Sequence, residues 1–168
     1  MERPPQNASE PTSTSNSNFT QLLNDSIERL ENDFTSGARQ LADAALSDLS
    51  YLIDAAGHKA KDRDDLWQHA VSAAKALSNA RPSMSAAVTS CLLRALSKLA
   101  EAWNRYEEGR GDGEIDVNFF VTVAMNVIEE MLEARNKAGV RLGESLAGYV
   151  DNGHKVCSTS FTALVNAY

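Results

Sequence analysis

Residues 84–106, MSAAVTSCLLRALSKLAEAWNRY, decide the fold class. Met84, Ala87, Val88, Cys91, Leu92, Ala95, Leu96, Leu99, Trp103 and Tyr106 recur three and four residues apart, so for about six turns they share one face of a helix. A helix of that length with one apolar stripe must bury it against other helices or a sheet.

Working upstream, Arg81-Pro82 punctuates the chain, because proline forces its predecessor out of the α region. Before it, Leu66, Trp67, Ala70, Val71, Ala74 and Leu77 form another helical stripe, with Asp64 as the expected N-cap. Leu41, Ala42, Ala45, Leu46, Leu49, Leu52 and Ile53 form a third, ending near Gly57. Phe19, Leu22, Leu23, Ile27, Leu30 and Phe34 form a fourth, separated from the previous one by Thr35-Ser36-Gly37. Downstream, the glycines at 109, 111 and 113 mark a loop. Val117, Phe120, Val121, Ala124, Val127, Ile128, Met131 and Leu132 then predict a further helix closed at Gly139, followed by a short sixth piece over about 143–149. Residues 1–18 contain Ser, Thr, Asn and Pro with little apolar surface to offset the entropy of ordering, so a disordered tail is expected there.

Composition agrees with a helical reading. The 168 residues are 43% hydrophobic, with only 9 glycines and 4 prolines, enough for one core and too few turns for an all-β fold. A net charge of −7 argues against a phosphate-backbone partner, which needs clustered Lys and Arg to displace counterions. Direct nucleic-acid binding is not expected. Cys91 and Cys157 lack a CxxC partner, and no run reaches transmembrane length, so the expectation is a reduced, cytoplasmic protein off the membrane.

The pattern changes after residue 150. Asp151-Asn152-Gly153 signals a turn, His154 to Ser158 a short strand, and Ser160 to Ala167 the start of a helix. The expected organisation is therefore a disordered tail at 1–18, a helical domain of five to six helices at 19–150, and the beginning of a Rossmann-like unit at 151–168. A lone terminal strand exposes unpaired backbone groups, which predicts self-association.

Few constellations carry chemistry. Asp65 and His69 stand at i, i+4, the spacing of a surface pair; Glu129, Glu130 and Glu133 fall on the polar side of the last long helix. Cys91, central in its stripe, is expected to behave as a small buried hydrophobe. No metal and no cofactor are expected. Two features suit an anion: Arg81 with Ser83 at the start of the long helix, and Ser158, Ser160 and Thr162 between strand and helix.

Together these two segments resemble a known family. Leu77-Ser78-Asn79-Ala80-Arg81-Pro82-Ser83-Met84 looks like the Arg-Pro-Thr segment of the regulatory subunits (α, β, δ) of translation initiation factor 2B. Asp151 to Thr162 resembles that family's D-G-x-x-I-L-T-H-S-Y-S signature, and the separation of the two motifs also fits. The resemblance implies a helical N-terminal domain followed by a Rossmann-like domain, of which this chain holds only the entry. It further implies a guanine-nucleotide exchange complex, with other initiation factor 2B-like subunits or translation initiation factor 2 as partners.

The same family includes isomerases of ribose 1,5-bisphosphate and methylthioribose 1-phosphate. Their catalytic cysteine position corresponds here to Ser160, with Cys157 three residues too early. Their aspartate lies in a region beyond this chain, and their Arg-Gly-Ala loop has only Ser36-Gly37-Ala38 as its counterpart. A serine needs an activating base that the sequence does not supply. The expected function is therefore a non-catalytic, initiation factor 2B subunit-like role in protein contact, with a sugar-phosphate isomerase-like fragment, inactive by itself, as the alternative.

Overall fold

The computed structural model describes residues 16–108 and 116–147. In chain order it contains α1 (Asn16–Asn32), α2 (Ala38–Gly57), α3 (Arg63–Asn79), a single 3₁₀ turn (Pro82–Met84), α4 (Ser85–Glu108) and α5 (Val117–Ala147). The fold is mainly helical, with no strand among the described residues. The strand and helix start expected over 151–168, and residues 1–15 of the expected tail, lie outside them; residues 16–18 of that tail belong instead to the first turn of α1.

α2 is the hub. It packs against all four other helices, while α3 and α5 flank α4 and α1 lies across α2 and α3. The periodic stripes supply the reason: Leu41, Ala45, Leu49, Leu52 and Ala56 of α2 are essentially inaccessible, as are Leu66, Ala70 and Leu77 of α3, and Leu92, Ala95, Leu99 and Trp103 of α4. Alanine in these stripes lets backbones approach, so α2 can touch several neighbours at once. Gly57 extends this logic, since a Cβ there would collide with the Val121 side chain of α5.

α2 and α5 are antiparallel. The beginning of α2 meets the later part of α5 through the Arg135–Asp43 ion pair, and its end meets the beginning of α5 through Gly57 and Val121. Equal intervals separate Asp43 from Gly57 and Val121 from Arg135, so the two helices stay in step along that length.

Local sequence sets the helix ends. Asp33 closes the α1–α2 turn, accepting from the amides of Thr35 (3.0 Å) and Ser36 (2.9 Å). Gln40 reaches back to accept from the Gly37 N–H at 3.0 Å, satisfying a donor that the start of α2 leaves free. The N-cap of α3 is Asp62, not Asp64 as the sequence suggested. Asp62 is extended (φ −153°, ψ −179°) and accepts from the Asp65 N–H at 2.8 Å. Asp64 instead lies in the first helical turn, where its charge still favours the dipole. α3 stops at Asn79, before Arg81-Pro82, as expected from proline sterics.

The structure corrects one further boundary. Gly139 does not close α5, and residues 143–147 belong to the same helix rather than to a separate sixth piece. The glycine serves a close approach: it is buried, and the guanidinium of Arg39 occupies the space a Cβ would need. Arg39 Nη2 donates from there to the Arg135 carbonyl at 2.9 Å and to Asn136 Oδ1 at 3.3 Å. A glycine that admits a neighbour's side chain gives the same local signal as one that ends a helix.

The aromatic residues gather where α3, α4 and α5 meet. Trp103 is fully buried, edge-on to Trp67 (5.6 Å between centroids) and to Phe120 (5.4 Å). Its indole N–H donates to the Phe120 carbonyl at 3.2 Å. A buried tryptophan needs such a partner for its one polar group. Tyr106 stacks on Phe119 at 3.8 Å, and Arg63 lies over the Phe120 ring while donating to Asn104 Oδ1 at 2.9 Å.

Candidate functional site

Of the residues singled out for anion binding, Arg81 and Ser83 lie among the described residues. Arg81 is the extended residue that precedes the 3₁₀ turn, and its guanidinium lies over the Phe34 ring, 5.1 Å from the centroid. One of its terminal nitrogens, Nη1, is buried with no hydrogen-bond partner among the described residues. Ser83 is exposed within the single turn. Arg81 thus reaches from the α3–α4 connection to the α1–α2 turn, where Phe34, expected in the first helix's apolar stripe, lies beyond the end of α1 and stays 78% exposed. Ser158, Ser160 and Thr162 lie outside the described residues.

Other constellations are in their expected surroundings. His69 Nδ1 lies 2.8 Å from the Asp65 carbonyl and 3.6 Å from its carboxylate, and the imidazole meets Phe19 of α1 edge-on. Glu129, Glu130 and Glu133 are exposed, Glu133 being paired with Lys137 at 2.7 Å. Among the described residues no three His, Cys, Asp or Glu side chains cluster as a metal site would require, and no helix is long and apolar enough to cross a membrane.

Cys91 sits on the floor of a groove of about 390 Å³ between α4 and α5, beside Ser90, Arg94, Lys98, Met131 and Arg135. Burial raises its thiol pKa first; the charge of Arg135 opposes this, Asp43 adds to it and Arg94 opposes it in turn. A thiol held in its neutral form is a poor nucleophile. Arg135 is itself engaged by Asp43, so the groove's most enclosed cation is already neutralised.

Among the described residues, a carboxylate is also buried in α2. Asp48 of α2 is 1% exposed and pairs with Arg29 of α1, whose side chain remains 63% exposed. The second Asp48 oxygen is buried without a partner among the described residues. This pair pins α1 onto the hub helix.

An apolar surface groove lies on the opposite flank of α5. Tyr51 (73% exposed) and Met125 (43% exposed) stand on either side of a groove of about 380 Å³ between α2 and α5. Ile128 and Leu132 form its floor, Ser47 and Ser50 one wall, and Asp54 and Glu129 its acidic rim. The in-step antiparallel pairing of α2 and α5 places these side chains together. Tyr51 falls outside the stripe of Leu49, Leu52 and Ile53, and Met125 outside that of Ala124 and Ile128. Large apolar residues off a helix's buried stripe were the available signal, and sequence reasoning passed over them.

Compared with protein-family models, curated proteins and solved structures, the chain gives no match.

Proposed function

We propose that this chain is a non-catalytic interaction protein, similar to a regulatory subunit of translation initiation factor 2B, whose helical domain contacts other subunits of such a complex or translation initiation factor 2 itself. The observation that supports a contact role is the groove between α2 and α5, where an aromatic ring and a thioether are held in solvent by a rigid helix pair. Exposed apolar side chains grouped around a concavity mark protein contact surfaces more often than isolated ones do. The family assignment rests on the sequence motifs around Arg81-Pro82 and Asp151 to Thr162, and cytoplasmic placement follows from the same reading.

The decisive experiment mixes the purified chain with initiation factor 2B subunits, and separately with the α subunit of translation initiation factor 2 with and without phosphorylation, and follows complex formation by calorimetry. A complex with any of these, weakened by Tyr51→Ala, is expected. Failure to bind all of them, or turnover of ribose 1,5-bisphosphate by the chain alone, would overturn the reading.

A further inference from the structure

We propose that the α2–α5 groove receives an amphipathic helix whose apolar anchors are flanked by lysines or arginines. The proposal deepens the contact role and rests on it, but names the chemistry of the partner segment rather than the complex. Three observations lead there. The first is shape: two antiparallel helices in step leave a groove lined by Tyr51 from one and by Met125, Ile128 and Leu132 from the other. A furrow along helices accepts another helix through anchors at i, i+3 or i+4, and i+7. Its volume of about 380 Å³ has room for a few side chains and not for a domain.

The second is charge. The rim carries Asp54 and Glu129, and among the described residues no lysine or arginine lines the groove. The outer face of α5 continues this sign through Glu130 and Glu133, with Lys137 offsetting the latter. On a chain of net charge −7, the nearby field favours a cationic segment and repels an acidic one. The third is the choice of apolar residues. Methionine adapts to varied side chains, and tyrosine offers a broad contact face with a hydroxyl for the wet edge, the composition of a surface that grips a helix from above.

The test uses the full chain and two fluorescent peptides with the same apolar helical pattern, one flanked by lysines and the other by glutamates. Fluorescence anisotropy should show saturable binding of the lysine peptide, weakening as salt rises, and at least about tenfold weaker binding of the glutamate peptide. Tyr51→Ala should weaken the lysine peptide by about tenfold or more. The charge-reversing pair Asp54→Lys and Glu129→Lys should shift preference toward the glutamate peptide, with far-UV circular dichroism and Tm verifying that the variants are folded. Equal binding of both peptides, or of neither, overturns the proposal. So does concentration-dependent self-association abolished by Tyr51→Ala, which would assign the groove to a second copy. The two readings fail separately: a complex with the initiation factors that tolerates Tyr51→Ala overturns the groove assignment alone, whereas peptide binding without any such complex overturns only the family role.

Discussion

Replacing Gly139 by alanine should fail to stabilise α5, against the ordinary expectation for a glycine inside a helix. In an open helix interior the change gains about 1 kcal/mol, because alanine loses less backbone entropy. Here the new methyl group displaces the Arg39 guanidinium. Two hydrogen bonds would be lost, at 2.9 Å to the Arg135 carbonyl and 3.3 Å to Asn136 Oδ1, together with the flanking contact to Asp43 at 3.7 Å. The Arg39 side chain is 41% exposed. Each bond is therefore worth the lower part of the usual range, about 0.5 kcal/mol, and the exposed ion pair a few tenths. These losses, about 1–1.5 kcal/mol together, cancel or slightly exceed the helix gain. In an Arg39→Ala background nothing remains to displace, and Gly139→Ala should then stabilise by the full amount of about 1 kcal/mol. Urea unfolding followed by far-UV circular dichroism measures both, with Tm changing by about 2–4 °C per kcal/mol for a chain of this size. The reasoning is refuted if the substitution has the same effect in both backgrounds to within about 0.3 kcal/mol.

Arg29→Met should destabilise by about 1–2 kcal/mol, below the value for a wholly buried pair because Arg29 is largely exposed, and adding Asp48→Leu should recover most of the loss; an unchanged urea midpoint for the single variant would show that Asp48 does not depend on Arg29. Asp33 is held at a pKa of about 2, chiefly by the hydroxyl and amide of Ser36, with desolvation opposing and Thr35 assisting. Because its folded pKa is depressed, its contribution is present above the unfolded value near 4 and lost as pH falls through about 2; Asp33→Asn should therefore cost at most about 1 kcal/mol at neutral pH, a gap from wild type that closes on acidification in thermal melts. In a Cys157→Ser variant, Cys91 should react with an aromatic disulfide more slowly, by about tenfold or more, than it does in the urea-unfolded chain; equal rates would contradict its burial.

The helices were legible because each carries a stripe of uniform period. α2, α3 and α4 needed nothing beyond the spacing of Leu, Ala and Trp and the sterics of Arg81-Pro82. Boundaries were less so: Asp62 and Asp64 are equally good caps by composition, and only the extended backbone at Asp62 selects it. Gly139 misled for a physical reason, since its partner Arg39 is remote in sequence and no local pattern announces the contact. The groove was hidden for the same reason. Tyr51 and Met125 belong to different helices, and their meeting depends on the register of α2 against α5, which Gly57 and Asp43 set. Arg81 was noticed for its place beside a helix start, whereas its neighbour in space is Phe34.

The pairing of Trp67 with Trp103 has an optical consequence. These are the chain's two tryptophans, and their rings are 5.6 Å apart at 71°. Indoles that close and crossed couple their transitions, so the near-ultraviolet dichroism and intrinsic emission of the protein report one spot, the junction of α3, α4 and α5. α1 supplies neither indole and is anchored elsewhere, by Arg29 on Asp48 and by Phe19 on His69. Undocking of α1 would lower the helical signal and leave the emission unchanged. Divergence of the two traces during unfolding would therefore time the release of the first helix separately from the collapse of the bundle.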